Sequence, residues 1–178
     1  MSGKSSQDER YVRAAAEFGA ALERMARAYE ADPELRRDLL QEIHIALWRS
    51  LARFDGRCSE RTWVYRVAHN MGASHVRRRR RIARQQFTTL DDLSVATRPS
   101  SDNPEIQVAD KHAFARLMDL IHALAPVDRQ VVLLYLEGLD AAAIGEVTGF
   151  SPGAVATKLH RLRAVLAAQF QQGGRHAD

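Results

Sequence analysis

With 178 residues and no internal repeat, the chain has room for one moderate domain or two small ones, since domains usually run to about 100–150 residues. Its 46% apolar and 27% charged residues exclude a wholly disordered chain, a collagen and a porin, and the longest unbroken apolar run, Val131 to Leu136, falls far short of the roughly 20 residues a membrane helix needs. A formal charge of +4 with a pI near 9.6 suits a polyanionic partner, while a single cysteine, Cys58, excludes an internal disulfide and a cysteine-based zinc site.

The polar start MSGKSSQDER has no apolar signal segment, so a cytoplasmic location is expected. A first helix is predicted from about Glu9 to Glu30, with Val12, Ala16, Leu22 and Met25 inward. Asp32-Pro33 reads as an N-cap followed by proline at the first helical position. It opens a helix lined by Leu35, Leu39, Ile43, Leu47 and Leu51 and ended by Gly56. Another helix begins near Ser59 and carries Val64, Val67, Ala68, Met71 and His75 on one face. Charge is uneven along this part. Residues 1–54 hold nine basic and nine acidic side chains, whereas 57–84 hold Arg57, Arg61, Arg66, Arg77 to Arg81 and Arg84 against Glu60 alone. Five adjacent arginines repel one another, and a phosphate backbone is a natural compensation. Upstream, Trp63, Tyr65, Arg66, His69 and Asn70 offer stacking and hydrogen bonds to unpaired bases, although Trp63 also suits a core position.

From Phe87 to Pro104 the periodicity stops and Thr, Ser, Asp, Pro and Asn dominate, which reads as a linker. Helical spacing resumes with Ile106, Ala109, Ala113, Leu117, Leu120, Ile121 and Leu124 up to Pro126. Gly138, Gly149 and Gly153 mark corners between short helices. No alternating β-branched stretch is present. The expected fold is all-α: a helical domain over 1–86, a flexible linker over 87–104 and a second helical domain over 105–178.

Near the C-terminus the punctuation is that of a helix-turn-helix. Asp140 caps a helix through Val147, Gly149-Phe150 turns, and Ser151-Pro152 opens a second helix. On that helix Val155, Leu159, Leu162 and Leu166 face one way, and Ala154, Thr157, Lys158 and Arg161 the other, so the outer face can enter a major groove. Taken alone, the spacing also allows a solvated basic helix in an ordinary bundle. Enzyme signals are absent: there is no G-x-x-x-x-G-K-[ST], G-x-G-x-x-G or H-E-x-x-H, and His69 and His75 are six apart, off the i,i+4 spacing of a helical metal pair. Neither an enzyme, a cofactor nor a metal site is expected.

The stretch DLLQEIHIALWRSLARFDGRCSERTWVYRVAHN followed by HVRRRRR, then a linker, then LAPVDRQVVLLYLEGLDAAAIGEVTGFSPGAVATKLHRLR, resembles the extracytoplasmic-function group of sigma-70 sigma factors. The resemblance implies a protein that binds core RNA polymerase, recognises the −10 and −35 promoter elements and is held inactive by an anti-sigma factor that hides both DNA faces. It implies polymerase contact through Asp38, Leu39, Gln41, Glu42 and Trp48. The melted −10 element falls to Arg57, Cys58, Ser59, Arg66, Asn70, Arg77, Arg78 and Arg79, and the duplex −35 element to Ser151, Gly153, Ala154, Thr157, Lys158 and Arg161. A polymerase-independent helix-turn-helix regulator and a decoy that sequesters an anti-sigma factor are the alternatives.

Overall fold

Asp32 sets the geometry of the N-terminal half. In the computed structural model, which describes residues 2–87 and 105–174, its Oδ1 accepts the backbone N–H groups of Glu34 and Leu35 at 2.9 and 3.0 Å. Two of the unpaired donors at the helix start are thereby satisfied. The helix it opens, α2 (Pro33–Leu51), turns back against α1 (Ser2–Tyr29), and α3 (Glu60–Phe87) packs across both. Leu39, Ile43, Leu47 and Leu51 are buried as their spacing predicts, with Leu22, Met25 and Val64 between them. Each such side chain contributes roughly 1.5–3 kcal/mol on leaving water.

On α1 the inward face differs from the predicted one. Ala14, Phe18, Ala21, Leu22 and Met25 are buried, while Val12 is 65% exposed and Ala16 faces solvent. In an alanine-rich helix several faces are nearly equally apolar, and contact with α2 and α3 selects one. α1 also starts earlier than the sequence indicated, at Ser2, and α3 runs through Phe87 rather than yielding to the linker there. The predicted linker from residue 88 to 104 lies outside the described residues. Gly56 sits not at the end of α2 but in the loop beyond it, at φ 75°.

The C-terminal half consists of α4 (Glu105–Ala123), α5 (Pro126–Leu136), α6 (Ala141–Thr148) and α7 (Pro152–Gly174). Pro126 closes one helical pattern by being the first residue of the next. Ile121, Val131, Leu134, Ile144 and Val155 form the second core. Gly138 and Gly149 make the corners with φ of 79° and 82°, conformations that glycine adopts without steric cost. Gly153, predicted as a corner, lies within the first turn of α7. Among the described residues there is no strand, and no helix is long and apolar enough to cross a membrane.

Candidate nucleic-acid and polymerase interfaces

The loop between α2 and α3 is tied down at both ends. Asp55 accepts the N–H of Arg57 at 3.1 Å and pairs with its guanidinium at 3.0 Å. The Ser59 hydroxyl accepts the N–H of Thr62 at 3.0 Å, capping α3. Beside this loop lies a groove of about 870 Å³ lined by Asp55, Gly56, Arg57, Cys58, Ser59, Trp63, Arg66 and Glu146. Trp63 is half-buried; its indole N–H donates to the Ser50 hydroxyl at 3.0 Å, and its ring meets Phe54 edge-on at 5.5 Å. One aromatic residue is thus both part of the packing and a fixed wall of the groove. Arg57, Cys58, Ser59 and Arg66, predicted from sequence, converge here. Asn70 is exposed one turn further along α3, and Arg77, Arg78 and Arg79 are exposed beyond it, outside the groove lining.

The arginine run is less self-repelling than it looks in sequence. Arg78 pairs with Glu42 of α2 at 2.7 Å, Arg79 lies 3.5 Å from Glu30, and Arg77 donates to the Ser74 hydroxyl at 2.8 Å. Glu30 is buried beside His75, 2.8 Å away. Burial alone would raise its pKa, but hydrogen bonds from His75 and from the Asp32 N–H, with the nearby Arg79 charge, hold it below the usual carboxylate range.

Along α2, Asp38 and Gln41 are exposed, and Glu42 and Trp48 are partly so. Leu39 is fully buried. This is the inward position its place in the stripe predicts, so among the five residues implied by the resemblance it lies on the core side of the helix. Trp48 donates its indole N–H to Asp8 at 2.7 Å, and its carbonyl accepts from Gln7 at 2.7 Å. A cleft of about 390 Å³ lined by Tyr11, His44, Ile45, Trp48 and Arg49 adjoins it.

In the second half, Asp140 caps α6 by accepting the Ala143 N–H at 2.8 Å, and Ser151 accepts the Ala154 N–H at 3.3 Å at the start of α7. Val155, Leu159 and Leu162 are buried and Leu166 half-buried. Ser151, Gly153, Ala154, Thr157 and Arg161 are exposed on the other side. Lys158 is drawn back, paired with Asp128 of α5 at 2.6 Å, with Arg161 3.7 Å from the same carboxylate.

Sequence reasoning missed the residues that join the halves. Arg24 of α1 makes a two-pronged ion pair with Glu137, both bonds 2.7 Å, and that bond holds the guanidinium above its ordinary pKa. Arg61 donates to the Glu137 carbonyl at 2.8 Å. The Thr62 hydroxyl donates to the Glu146 carboxylate at 3.1 Å, and Arg66 donates to the Glu146 carbonyl. Arg129 is buried and reaches the Ala28 carbonyl at 3.4 Å, its guanidinium 5.4 Å from the Tyr29 ring centre. Burial lowers its pKa. Behind it, the Tyr29 hydroxyl and His69 Nδ1 are 2.8 Å apart; burial pushes the phenol up and the imidazole down to about 3. These partners are far apart in sequence, and no periodicity marks them.

Residues 15–82 match the model of sigma-70 region 2, and residues 114–166 that of sigma-70 region 4. The RNA polymerase sigma factor CnrH of Cupriavidus metallidurans is 30% identical over 158 residues, spanning 86% of this chain and 82% of that protein. The RNA polymerase sigma-E factor of Streptomyces avermitilis is 34% identical over 168 residues, 92% of this chain and 85% of its own. The chain belongs to the extracytoplasmic-function sigma factors of the sigma-70 family. The fold agrees: the structure of CnrH in complex with the cytosolic domain of CnrY superposes with a TM-score of 0.68 at 22% identity, covering 96% of this chain and 93% of that one.

Sigma factors direct transcription initiation by RNA polymerase at promoters, and that is the function of this chain. The region 2 match takes in α2, the groove loop and the arginine run, and the region 4 match takes in the helix-turn-helix. As a sigma factor, the chain is a specificity subunit and not an enzyme.

Proposed function

We propose that this sigma factor divides its work between two surfaces. The first domain, 1–86, grips core RNA polymerase through the outer side of α2 (Asp38, Gln41, Glu42 and Trp48) and holds the opened −10 strand in the groove beside the α2–α3 loop. The second domain, 105–178, docks α7 on duplex −35 DNA, and the linker over 87–104 spans the distance between them. The observation that carries this reading is the convergence of Arg57, Cys58, Ser59, Arg66 and the Trp63 ring on one groove.

Extruding a base costs a few kcal/mol. A preformed pocket with an aromatic wall and nearby arginines offsets that cost by stacking and by charge-assisted hydrogen bonds to phosphates. The arginines from Arg77 to Arg79 extend the cationic track for the backbone. On α7, the small residues Gly153 and Ala154 allow close approach to the duplex. Thr157, Lys158 and Arg161 then reach base edges or phosphates.

The protein works in the cytoplasm, kept inactive by an anti-sigma partner, which in turn can hold it at the membrane. Support comes from solved relatives: CnrH is bound to the cytosolic domain of CnrY, and the sigma factor RpoE of Bartonella quintana, which superposes with a TM-score of 0.67 at 18% identity over 92% of this chain and 98% of that one, is bound to the anti-sigma factor NepR. Transcription by purified core polymerase on a genomic promoter library, with and without the chain, tests the proposal. Discrete start sites preceded by shared −35 and −10 sequences are expected only when the chain is present; chain-independent or sequence-blind initiation would refute it.

A further inference from the structure

Where α1 ends, α3 and the corner between α4 and α5 close around a polar cavity of about 240 Å³. Its walls bring together the guanidiniums of Arg79, Arg80 and Arg129, the imidazoles of His75 and His122, and a single carboxylate, that of Glu30. None of these residues lines the groove beside the α2–α3 loop. Glu30 is already provided for: it accepts the Asp32 N–H at 3.0 Å, lies 2.8 Å from His75 and is 3.5 Å from Arg79 Nε. Nothing comparable answers Arg129. It is 3% exposed, and its terminal nitrogens reach the carbonyls of Ala28 and Leu124 at 3.4 and 3.3 Å and that of His122. Its Nε–H has no acceptor among the described residues. The three carbonyls belong to the C-terminal ends of α1 and α4, whose partial negative charge helps to hold a cation. That is a partial charge set against a full one. Burial lowers the pKa of Arg129, and the like charge of Arg80 adds to the shift.

We propose that this cavity binds a small phosphate-type oxyanion, inorganic phosphate or the diphosphate group of a soluble phosphorylated molecule, with Arg79 and Arg80 at its mouth and the buried charge of Arg129 behind them. Guanidiniums present forked donors that match phosphate oxygens, and a doubly charged anion neutralises the excess of cations that Glu30 leaves over. The interaction with Arg129 is strengthened because that side chain is shielded from water. Size narrows the ligand: the cavity is smaller than the roughly 300–1,000 Å³ of pockets that enclose drug-sized molecules, so it takes the phosphate group and leaves any larger body outside. Shape narrows it further. A nucleic-acid strand needs an open track, whereas this cavity is walled by residues of α1, α3, α4 and α5. Arg79 belongs both to the cavity and to the arginine track on α3, so the two sources of phosphate are separated by the variants below.

The test uses the full chain at constant ionic strength, with sodium pyrophosphate as the probe, titration calorimetry for binding and a thermal melt for stability. The wild type is expected to bind one pyrophosphate and to melt at a higher temperature in its presence. Arg80→Gln weakens that binding about three- to tenfold, and Arg79→Gln/Arg80→Gln weakens it further. Arg81→Gln removes the same charge from the next residue of α3, exposed and outside the cavity lining, and leaves binding unchanged. Arg129→Lys keeps a charge but loses the fork, and it weakens binding too; if that variant fails to fold, the exposed Arg79 and Arg80 variants decide. Equal effects of Arg80→Gln and Arg81→Gln, or no saturable binding by the wild type, would overturn the site by reducing it to the general attraction of a basic helix. Wild-type affinity in a folded Arg129→Lys chain would leave Arg129 as a cap of α1 and α4 alone, and would overturn it as well. A fluorescein-labelled single-stranded DNA, titrated into the same variants, tests the other source of phosphate. If Arg129→Lys weakens binding of the oligonucleotide while pyrophosphate does not bind, the cavity serves the nucleic-acid backbone and the small-anion site is overturned.

Discussion

Glu42 of α2 and Arg78 of α3 are joined across the first domain, one guanidinium nitrogen lying 2.7 Å from Oε2 and 3.0 Å from Oε1. The pair ties the proposed polymerase-binding helix to the arginine track. Because both side chains are partly exposed, at 38% and 46%, Glu42→Gln is expected to change stability by less than about 1 kcal/mol. Two functional effects are expected to separate: weaker binding to core polymerase, and stronger binding to single-stranded DNA as Arg78 is released. Fluorescence titrations with each partner, beside a thermal melt, check this.

Asp128 holds both Lys158 and Arg161. Asp128→Asn is expected to free the two cations and tighten duplex binding at low salt. Lys158→Ala with Arg161→Ala is expected to weaken promoter duplex binding and to reduce the slope of log affinity against log salt by about 1–2, with polymerase binding spared. Salt titrations on a duplex carrying the promoter, and on an unrelated duplex, measure both effects.

A Cβ on Gly145 would come 2.6 Å from the Phe150 carbonyl oxygen, whereas one on Gly153 would meet nothing within 4 Å. Alanine normally favours a helix interior over glycine by about 1 kcal/mol, but backbone at the helix-turn-helix corner cannot move aside cheaply. Gly145→Ala is therefore expected to destabilise the second domain by roughly 1–3 kcal/mol. Gly153→Ala keeps the melting temperature and still lowers duplex affinity, because its methyl group projects where α7 approaches DNA. Calorimetry with duplex binding separates a folding defect from a contact defect.

His69 makes stability depend on pH. Burial lowers its pKa to about 3, so the folded chain keeps the ring neutral while the unfolded chain takes up a proton near pH 6.5. The unfolded state binds more protons between those values. Stability is fully present above about pH 6.5 and declines as pH falls through that window. Glu30, held below the usual carboxylate range, adds to the loss as pH falls below the ordinary carboxylate pKa. A loss on the order of a few kcal/mol is expected between about pH 7 and pH 4, and His69→Gln is expected to flatten the His-dependent part. Urea unfolding at a series of pH values measures it.

Most of the local structure was legible because it is encoded locally. Asp32-Pro33, Asp140 and the Gly149 turn each announce themselves within four residues, and the stripe from Leu39 to Leu51 follows the helical period onto the core. Val12 misled because α1 offers more than one apolar face, and only its neighbours choose between them. Leu39 is at once a motif position and a core position: a motif position names a helix, not which way a side chain points. The contacts between the domains left no local trace. Arg24 and Glu137 are 113 positions apart, Thr62 and Glu146 84, and each residue alone looks like an ordinary surface charge or hydroxyl.

The central claim, that the groove beside the α2–α3 loop holds the opened strand, is most directly tested through Cys58, the single cysteine of the chain and part of the groove wall. A thiol-directed DNA-cleaving reagent attached there is assembled with core polymerase on a promoter, and the cut positions are mapped. Cuts confined to the melted −10 element are predicted. Cuts centred on the −35 duplex, or none near the −10 element in a complex that transcribes, would contradict it.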